Sequence, residues 1–177
     1  MGSKAVIING GATQRSRVTS VTIDFDQVVT LPVNVADAFQ LKRQSDNALV
    51  ALTANVKSDS ATHVTLTFTG ALSQFGSLED GRYTIMVLAS KVSNANGKLD
   101  GDCNGIGGDD FVLASAGATG VFRLFGDSDG NAAVNSNDFA AFRTFFGLGA
   151  SIFDFNNDGQ TNSNDFAEFR KRFGLTI

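Results

Sequence analysis

Apolar and polar residues alternate in short runs through residues 5–95 of the chain. "AVIING", "SRVTSVTIDFD", "AFQLKRQ", "ALVALTANV", "HVTLTFTG" and "RYTIMVLAS" are each rich in β-branched residues with a period of two. That is the pattern of a strand with one face buried. Turn-forming stretches separate them, among them "NGGATQ", "QSDN", "KSDSAT", "LEDG" and "SNANG". No segment of this half carries an apolar stripe at helical spacing over a dozen residues. About seven short strands in this length predict an antiparallel sandwich of immunoglobulin-like architecture.

The period then changes. Phe139, Phe142 and Phe146 fall at i, i+3 and i+7, and Phe166, Phe169 and Phe173 repeat the spacing. Each set predicts one apolar stripe on a short helix, ended by Gly147 or Gly174. Helices of about ten residues do not persist alone in water. The two stripes are therefore expected to bury each other, with Leu148, Ile152, Phe153 and Phe155 closing the same small core. "GVFRLFGD" (120–127) is expected to form an amphipathic turn that adds Phe122 and Phe125 to it.

A step of 27 residues relates three segments, "DGDCNGIGGDDF" (100–111), "DSDGNAAVNSNDF" (127–139) and "DFNNDGQTNSNDF" (154–166). Each places Asp or Asn at loop positions 1, 3 and 5. In the second and third, positions 9 and 12 are also filled. The candidate ligands are Asp127, Asp129, Asn131, Asn135 and Asp138 with the Ala133 carbonyl, and Asp154, Asn156, Asp158, Asn162 and Asp165 with the Gln160 carbonyl. Alternating oxygen donors in a tight loop are what Ca2+ demands, since it takes six to eight hard ligands. The earliest copy offers Asp100, Asp102, Asn104 and the Ile106 carbonyl. Its closing carboxylate is Asp110, one residue early, or Asp109. Two calcium ions are expected, with a third at this degenerate loop. Cys103 at its position 4 is an outward-pointing bystander, because calcium prefers oxygen. Asp138 and Asp165 open each helix, where a carboxylate also suits the helix dipole. Folding of this half is expected to be coupled to metal.

Charge sharpens the division. Residues before 99 carry nine basic and seven acidic side chains, and the remainder carry five and eleven. Twelve of the sixteen Phe also lie after residue 98. The expected domains are 1–98, a linker with the degenerate loop over 99–119, and 120–177. An acidic tail repels nucleic acid and anionic lipid, so neither is an expected partner. No run approaches eighteen apolar residues, so no membrane insertion is expected. A single Cys103 cannot form an internal disulfide. The opening "MGSK" reads as an expression remnant and the chain as a C-terminal fragment of a longer protein, whose targeting signal lies elsewhere.

Candidate chemistry is sparse in the first half. His63 is the only histidine, so no Ser-His-Asp or Cys-His arrangement can be assembled beyond it. Asp24 and Asp26 alternate onto one strand face without a second feature pointing to a cleft. The chain is not expected to be an enzyme.

Two resemblances follow from these residues. "VTSVTIDFDQVVTL", "AFQL", "THVTLTFTGAL" and "LEDGRYTIMVLASKVSNANGKLDG", in that order over residues 4–99, resemble bacterial Ig-like domains of secreted and surface proteins. The duplicated loop-then-helix over 120–177, with Asp at position 12 and no long entering helix, resembles a dockerin rather than a full EF-hand. It departs from that pattern at Ala132, where position 6 is ordinarily Gly and permits a sharp turn. The implied fold is an all-β Ig-like sandwich followed by a small α domain with two calcium-binding loop-helix (F-hand) repeats. The implied function is a non-catalytic, calcium-dependent anchoring module for a cohesin-like protein domain, monomeric and located outside the cell or at its surface. Partner contacts would map to Ser136, Asn137, Ser163 and Asn164 at loop positions 10 and 11. Arg143, Thr144, Arg170, Lys171 and Arg172 would flank them. The alternative is a purely structural, calcium-stabilised tail with no cohesin partner.

Overall fold

The computed structural model describes residues 3–177, so Met1 and Gly2 of the expected remnant lie outside the described residues. Its strands are β1 (Ser3–Ile8), β2 (Val21–Phe25), β3 (Phe39–Arg43), β4 (Ala51–Ser58), β5 (Thr62–Thr69), β6 (Ser73–Gln74), β7 (Ser77–Leu78), β8 (Gly81–Val87), β9 (Ser93–Asn94), β10 (Gly97–Lys98), β11 (Phe111–Ala114) and β12 (Phe122–Arg123). Two helices follow, α1 (Ser136–Phe145) and α2 (Ser163–Arg172). Neither is long and apolar enough to cross a membrane.

The six alternating runs all form strands. One antiparallel sheet has the order β1-β2-β5-β4. In the other, β8 is central, with β3 on one side and β11 and β12 on the other. Alternate residues of β2, β5 and β8 are buried. Val21, Ile23, Phe25, Leu41, Val64, Leu66, Tyr83, Ile85 and Val87 meet in one apolar cluster, an arrangement consistent with a β-sandwich. β4 is mostly exposed along its length, as an edge strand with polar side chains should be. β6–β7 and β9–β10 are two-residue hairpins.

The sheet extends past the expected boundary at residue 98. Phe111–Ala114 pairs with Thr84–Val87, and Phe122 and Arg123 pair with Arg82 and Gly81. Leu99 and Val121 are buried in the sandwich cluster. The second apolar cluster begins only at Leu124. Phe122 is therefore a strand residue, its ring beneath the guanidinium groups of Arg15 and Arg82, instead of part of the helical core. A two-residue strand leaves almost no alternation to read, which is why this segment reads as a turn.

The second cluster gathers Leu124, Phe125, Val134, Phe142, Phe153 and Phe169, with Phe139, Ile152, Phe155 and Phe166 partly buried against it. Phe142 and Phe169 face each other across the helix pair at 5.0 Å between ring centroids. The helical stripes are buried only in part: Phe146 and Phe173 are 50% and 51% exposed. Leu148, expected in this core, is 58% exposed, because it lies in the segment that leaves α1 to pair with the other loop.

The two clusters are joined by polar contacts. Arg123 is buried, and its Nη1 lies 3.1 Å from Asp80 Oδ1. Arg172 pairs with the other oxygen of Asp80, and the Phe125 N–H donates to Asp80 at 2.8 Å. Arg172 thus faces the sandwich instead of flanking a partner surface. Burial lowers the Arg123 pKa to about 10, with Asp80 opposing the shift. Removing one partner of such a pair strands the other charge. Asp80→Ala is expected to cost about 3 kcal/mol in urea unfolding with calcium present, and Asp80→Asn less, because its amide oxygen still accepts from Phe125. Equal midpoints for Asp80→Ala and the unaltered chain would refute this.

Candidate metal centre

The three related segments fold into the same loop. The position-1 carboxylate turns inward and accepts from the N–H groups of positions 5 and 6. Asp127 accepts from Asn131 (3.2 Å) and Ala132 (3.0 Å), and also from Gly130 (2.6 Å). Asp154 accepts from Asp158 (3.1 Å) and Gly159 (3.0 Å), and Asp100 from Asn104 (3.0 Å) and Gly105 (2.9 Å). The position-3 oxygen accepts from the position-5 N–H in each: Asp129, Asn156 and Asp102. The position-5 oxygens of Asn131, Asp158 and Asn104 accept from Ala133, Gln160 and Ile106.

This winding needs left-handed backbone at positions 4 and 6. Gly130, Asn157 and Cys103 have φ of 74°, 58° and 61°, and Ala132, Gly159 and Gly105 have φ of 66°, 87° and 92°. Ala132 therefore takes the same turn that glycine takes in the other copies, at a cost of about 1 kcal/mol for the crowded Cβ. The first loop does not bend differently for lacking glycine.

Positions 9 and 12 serve the helices as well as the loop. Asn135 and Asn162 are the N-caps of α1 and α2, and Asp138 and Asp165 close a capping box by accepting from the N-cap N–H. Asp138 also accepts from the N–H and hydroxyl of Ser128, both at 2.8 Å. Asp127, Asp138, Asp154 and Asp165 are all fully buried. Among the described residues, Asp127, Asp129 and Asp138 bring ligand oxygens within 4.8 Å of one another, as do Asp100, Asp102 and Asp109. The two candidates in the earliest loop lie apart. Asp109 joins the cluster, whereas Asp110 turns away and accepts from the Ala89 N–H at 2.7 Å. The 154–165 loop shares the hydrogen bonds of its neighbour, but its three carboxylates are not drawn within the same span.

The loops are laced to each other through the ends of the helices. The Val134 N–H donates to Leu175 O and the Val134 carbonyl accepts from the Gly174 N–H; 27 residues on, the Thr161 N–H donates to Leu148 O and the Thr161 carbonyl accepts from the Gly147 N–H. The chain leaving α1 thus closes the second loop, and the chain leaving α2 closes the first. Ala133 bridges Thr176 and Gln160 bridges Gly149. Their N–H groups donate to the position-5 side chains of Asn131 and Asp158.

The donor set fits calcium. Every candidate ligand atom is oxygen, half of those in each main loop are carboxylate, and two of these carboxylates per main loop are buried, where like charges need a counter-ion. Calcium would supply that charge and fix the loop; the chain's own residues do the rest.

Two arginines of the sandwich, invisible in local sequence patterns, brace the loops from outside. The Arg15 N–H donates to Asp127 O at 2.9 Å, and Arg17 Nη1 donates to Asp154 O at 2.6 Å. Gly130 sits so close beneath Thr13 that an added Cβ would meet its carbonyl oxygen at 2.2 Å.

Ser136, Asn137, Ser163 and Asn164 are exposed in the first turns of the helices. Arg143 and Arg170 are also exposed, while Lys171 pairs with Glu168 at 2.5 Å. Elsewhere, His63 Nδ1 lies 2.7 Å from Asp24 Oδ1 across β5 and β2, so Asp24 is held by its strand neighbour. Comparison with protein-family models, with curated proteins and with solved structures finds no match.

Burial pushes the Asp127 carboxyl from 3.8 up to about 6, against the hydrogen bonds that lower it. Its folded value lies above the unfolded one, so the calcium-free protein loses stability as pH rises between those values. Calcium has to displace that proton. Below about pH 6 calcium affinity should fall by about tenfold per pH unit, with the released proton visible as buffer-dependent heat. Affinity constant down to pH 5 would contradict it. Gly159→Ala places a Cβ in open space and should cost only the left-handed strain, about 1 kcal/mol. Gly130→Ala should cost clearly more, because its Cβ meets Thr13; denaturant midpoints of the two variants decide it.

Proposed function

We propose that this chain is a non-catalytic, calcium-dependent binding and anchoring unit. Its sandwich is a spacer of the Ig-like kind, and its last fifty-odd residues are a dockerin-like pair of loop-helix repeats that docks on a cohesin-like protein domain outside the cell or at its surface. The observation that carries this reading is the recurrence of one oxygen-lined loop at a 27-residue step, twice followed by a capped helix whose first turn holds the last ligand. A loop of this chemistry, repeated in register, serves a divalent cation and leaves its carboxylates without a proton-transfer role. Calcium is taken by Asp127, Asp129, Asn131, Ala133, Asn135 and Asp138, and by Asp154, Asn156, Asp158, Gln160, Asn162 and Asp165. A third ion is held by Asp100, Asp102, Asn104, Ile106 and Asp109.

One observation favours a second reading, in which calcium only stiffens the tail of a surface protein. Both main loops are braced by the sandwich through Arg15 and Arg17, so the ions could serve the junction alone. Calorimetric titration of the chelator-stripped chain separates the cases for the metal: about two ions bound supports the paired loops, and about three adds the 100–109 loop. Absence of binding heat would overturn both readings. A cohesin-like domain retained in calcium and released by chelator supports the anchoring reading, and calcium-dependent stability without any such retention supports the structural one.

A further inference from the structure

The helix pair leaves an aromatic face uncovered. Two grooves of about 280 Å³ flank the stacked rings of Phe139 and Phe166, whose centroids are 6.1 Å apart. One is lined by Phe139, Phe142, Arg143, Phe146 and Phe166, the other by Phe139, Phe166, Phe169, Arg170 and Phe173. The 27-residue step converts one lining into the other: Phe139 into Phe166, Phe142 into Phe169, Arg143 into Arg170, Phe146 into Phe173. The surface is thus a pair of equivalent slots, each with an apolar wall and one guanidinium on its rim.

The rims carry unanswered charge. Arg143 and Arg170 form no ion pair with a described carboxylate; Arg170 lies over the Phe166 ring at 5.9 Å. The acids of these helices are already engaged. Asp138 and Asp165 are buried in the calcium loops, and Glu168 is taken by Lys171 and Arg172. Exposed rings beside unpaired guanidinium groups are the composition of an interface centre, where Phe and Arg are enriched.

We propose that each slot receives a large apolar side chain of a protein partner whose neighbouring carboxylate pairs with Arg143 or Arg170. This deepens the anchoring reading and rests on it, since calcium fixes the helices that form the slots. Charge complementarity selects this occupant. A second copy of the chain placed face to face would bring its own arginines against these, crowding four guanidinium groups into one apolar patch without a carboxylate among them. An anionic membrane would meet a unit with eleven acidic and five basic residues after position 98, which repels it. A carboxylate suits a guanidinium bidentately, and the aromatic walls suit leucine or methionine. Ser136, Asn137, Ser163 and Asn164 do not line the slots, whereas Arg143 and Arg170 do, so the apolar contact between the rings is what this inference adds to the polar positions implied by the dockerin resemblance.

The test is an NMR titration of the calcium-loaded full chain with a short helical peptide in which leucine and glutamate lie on one face. Companion peptides carry lysine for glutamate, or serine for leucine. The ring signals of Phe139, Phe146, Phe166 and Phe173 should move with the leucine-glutamate peptide alone. The double variant R143E/R170E, with both changes at exposed positions, should bind that peptide at least about tenfold more weakly and should now take the lysine peptide. Silence of these rings in a sample whose calcium heat is normal overturns the slots and leaves the calcium reading standing, whereas missing calcium heat removes the reading beneath them. Equal binding of the lysine peptide to the unaltered chain, sedimentation as a dimer through this face, or retention on phosphatidylglycerol vesicles would each overturn the proposal.

Discussion

The first carboxylate of each loop is the interaction on which the C-terminal half depends. Asp127, Asp154 and Asp100 each gather the N–H groups of positions 5 and 6, and that gathering forces two left-handed residues into every loop. Backbone in that region is uncomfortable for any residue with a side chain, so the turn exists only because the carboxylate holds it. Once wound, each of the two later loops sets its last carboxylate in the first turn of a helix. Asp138 and Asp165 are therefore caps as well as the last candidate ligands of their loops. A helix too short to stand alone is nucleated by that capping carboxylate.

Reciprocity makes one structure of the two repeats. Each loop is closed by the chain that leaves the other loop's helix, through the paired hydrogen bonds of Val134 and Thr161. Loosening one loop loosens the cap of its helix, then the exit of that helix, then the clasp on the second loop. The sandwich adds a third support. Its 13–17 segment lies along both loops, and the buried Arg123, held by Asp80, fixes the point where the sheet hands over to the helical core. The loops are thus joined to the sheet half by hydrogen bonds to their backbone instead of by a loose tether.

The parts legible in the sequence are those with a local cause. The recurring loop, the two short helices, the terminating Gly147 and Gly174 and the six alternating runs all act over a few residues, and these elements form where expected, though the Phe stripes are buried only in part. What escaped depends on partners distant in the chain. β11 is a strand because β8 offers it an open edge, which moves the apolar boundary from residue 98 to 124. Arg172 reads as a surface cation until Asp80, ninety-odd residues away, is placed beside it. Asp110 is the first candidate by spacing and Asp109 the alternative, and the Ala89 N–H draws Asp110 away from the loop. Leu148 reads as core by hydropathy, yet the ladder to Thr161 holds its backbone at the surface. The dockerin and Ig-like resemblances remain readings of motif and order, and they carry the proposal of function, not the description of the fold.

Hydrogen exchange of the full chain, with calcium and with chelator, tests the central claim most directly. If calcium organises loops, caps and clasps as one unit, the amides of residues 136–145 and 163–172 exchange slowly with calcium and lose protection together in chelator. The amides of β5 and β8 should stay protected in both. Helices equally protected in both conditions, or one helix opening while the other stays closed, would contradict the account.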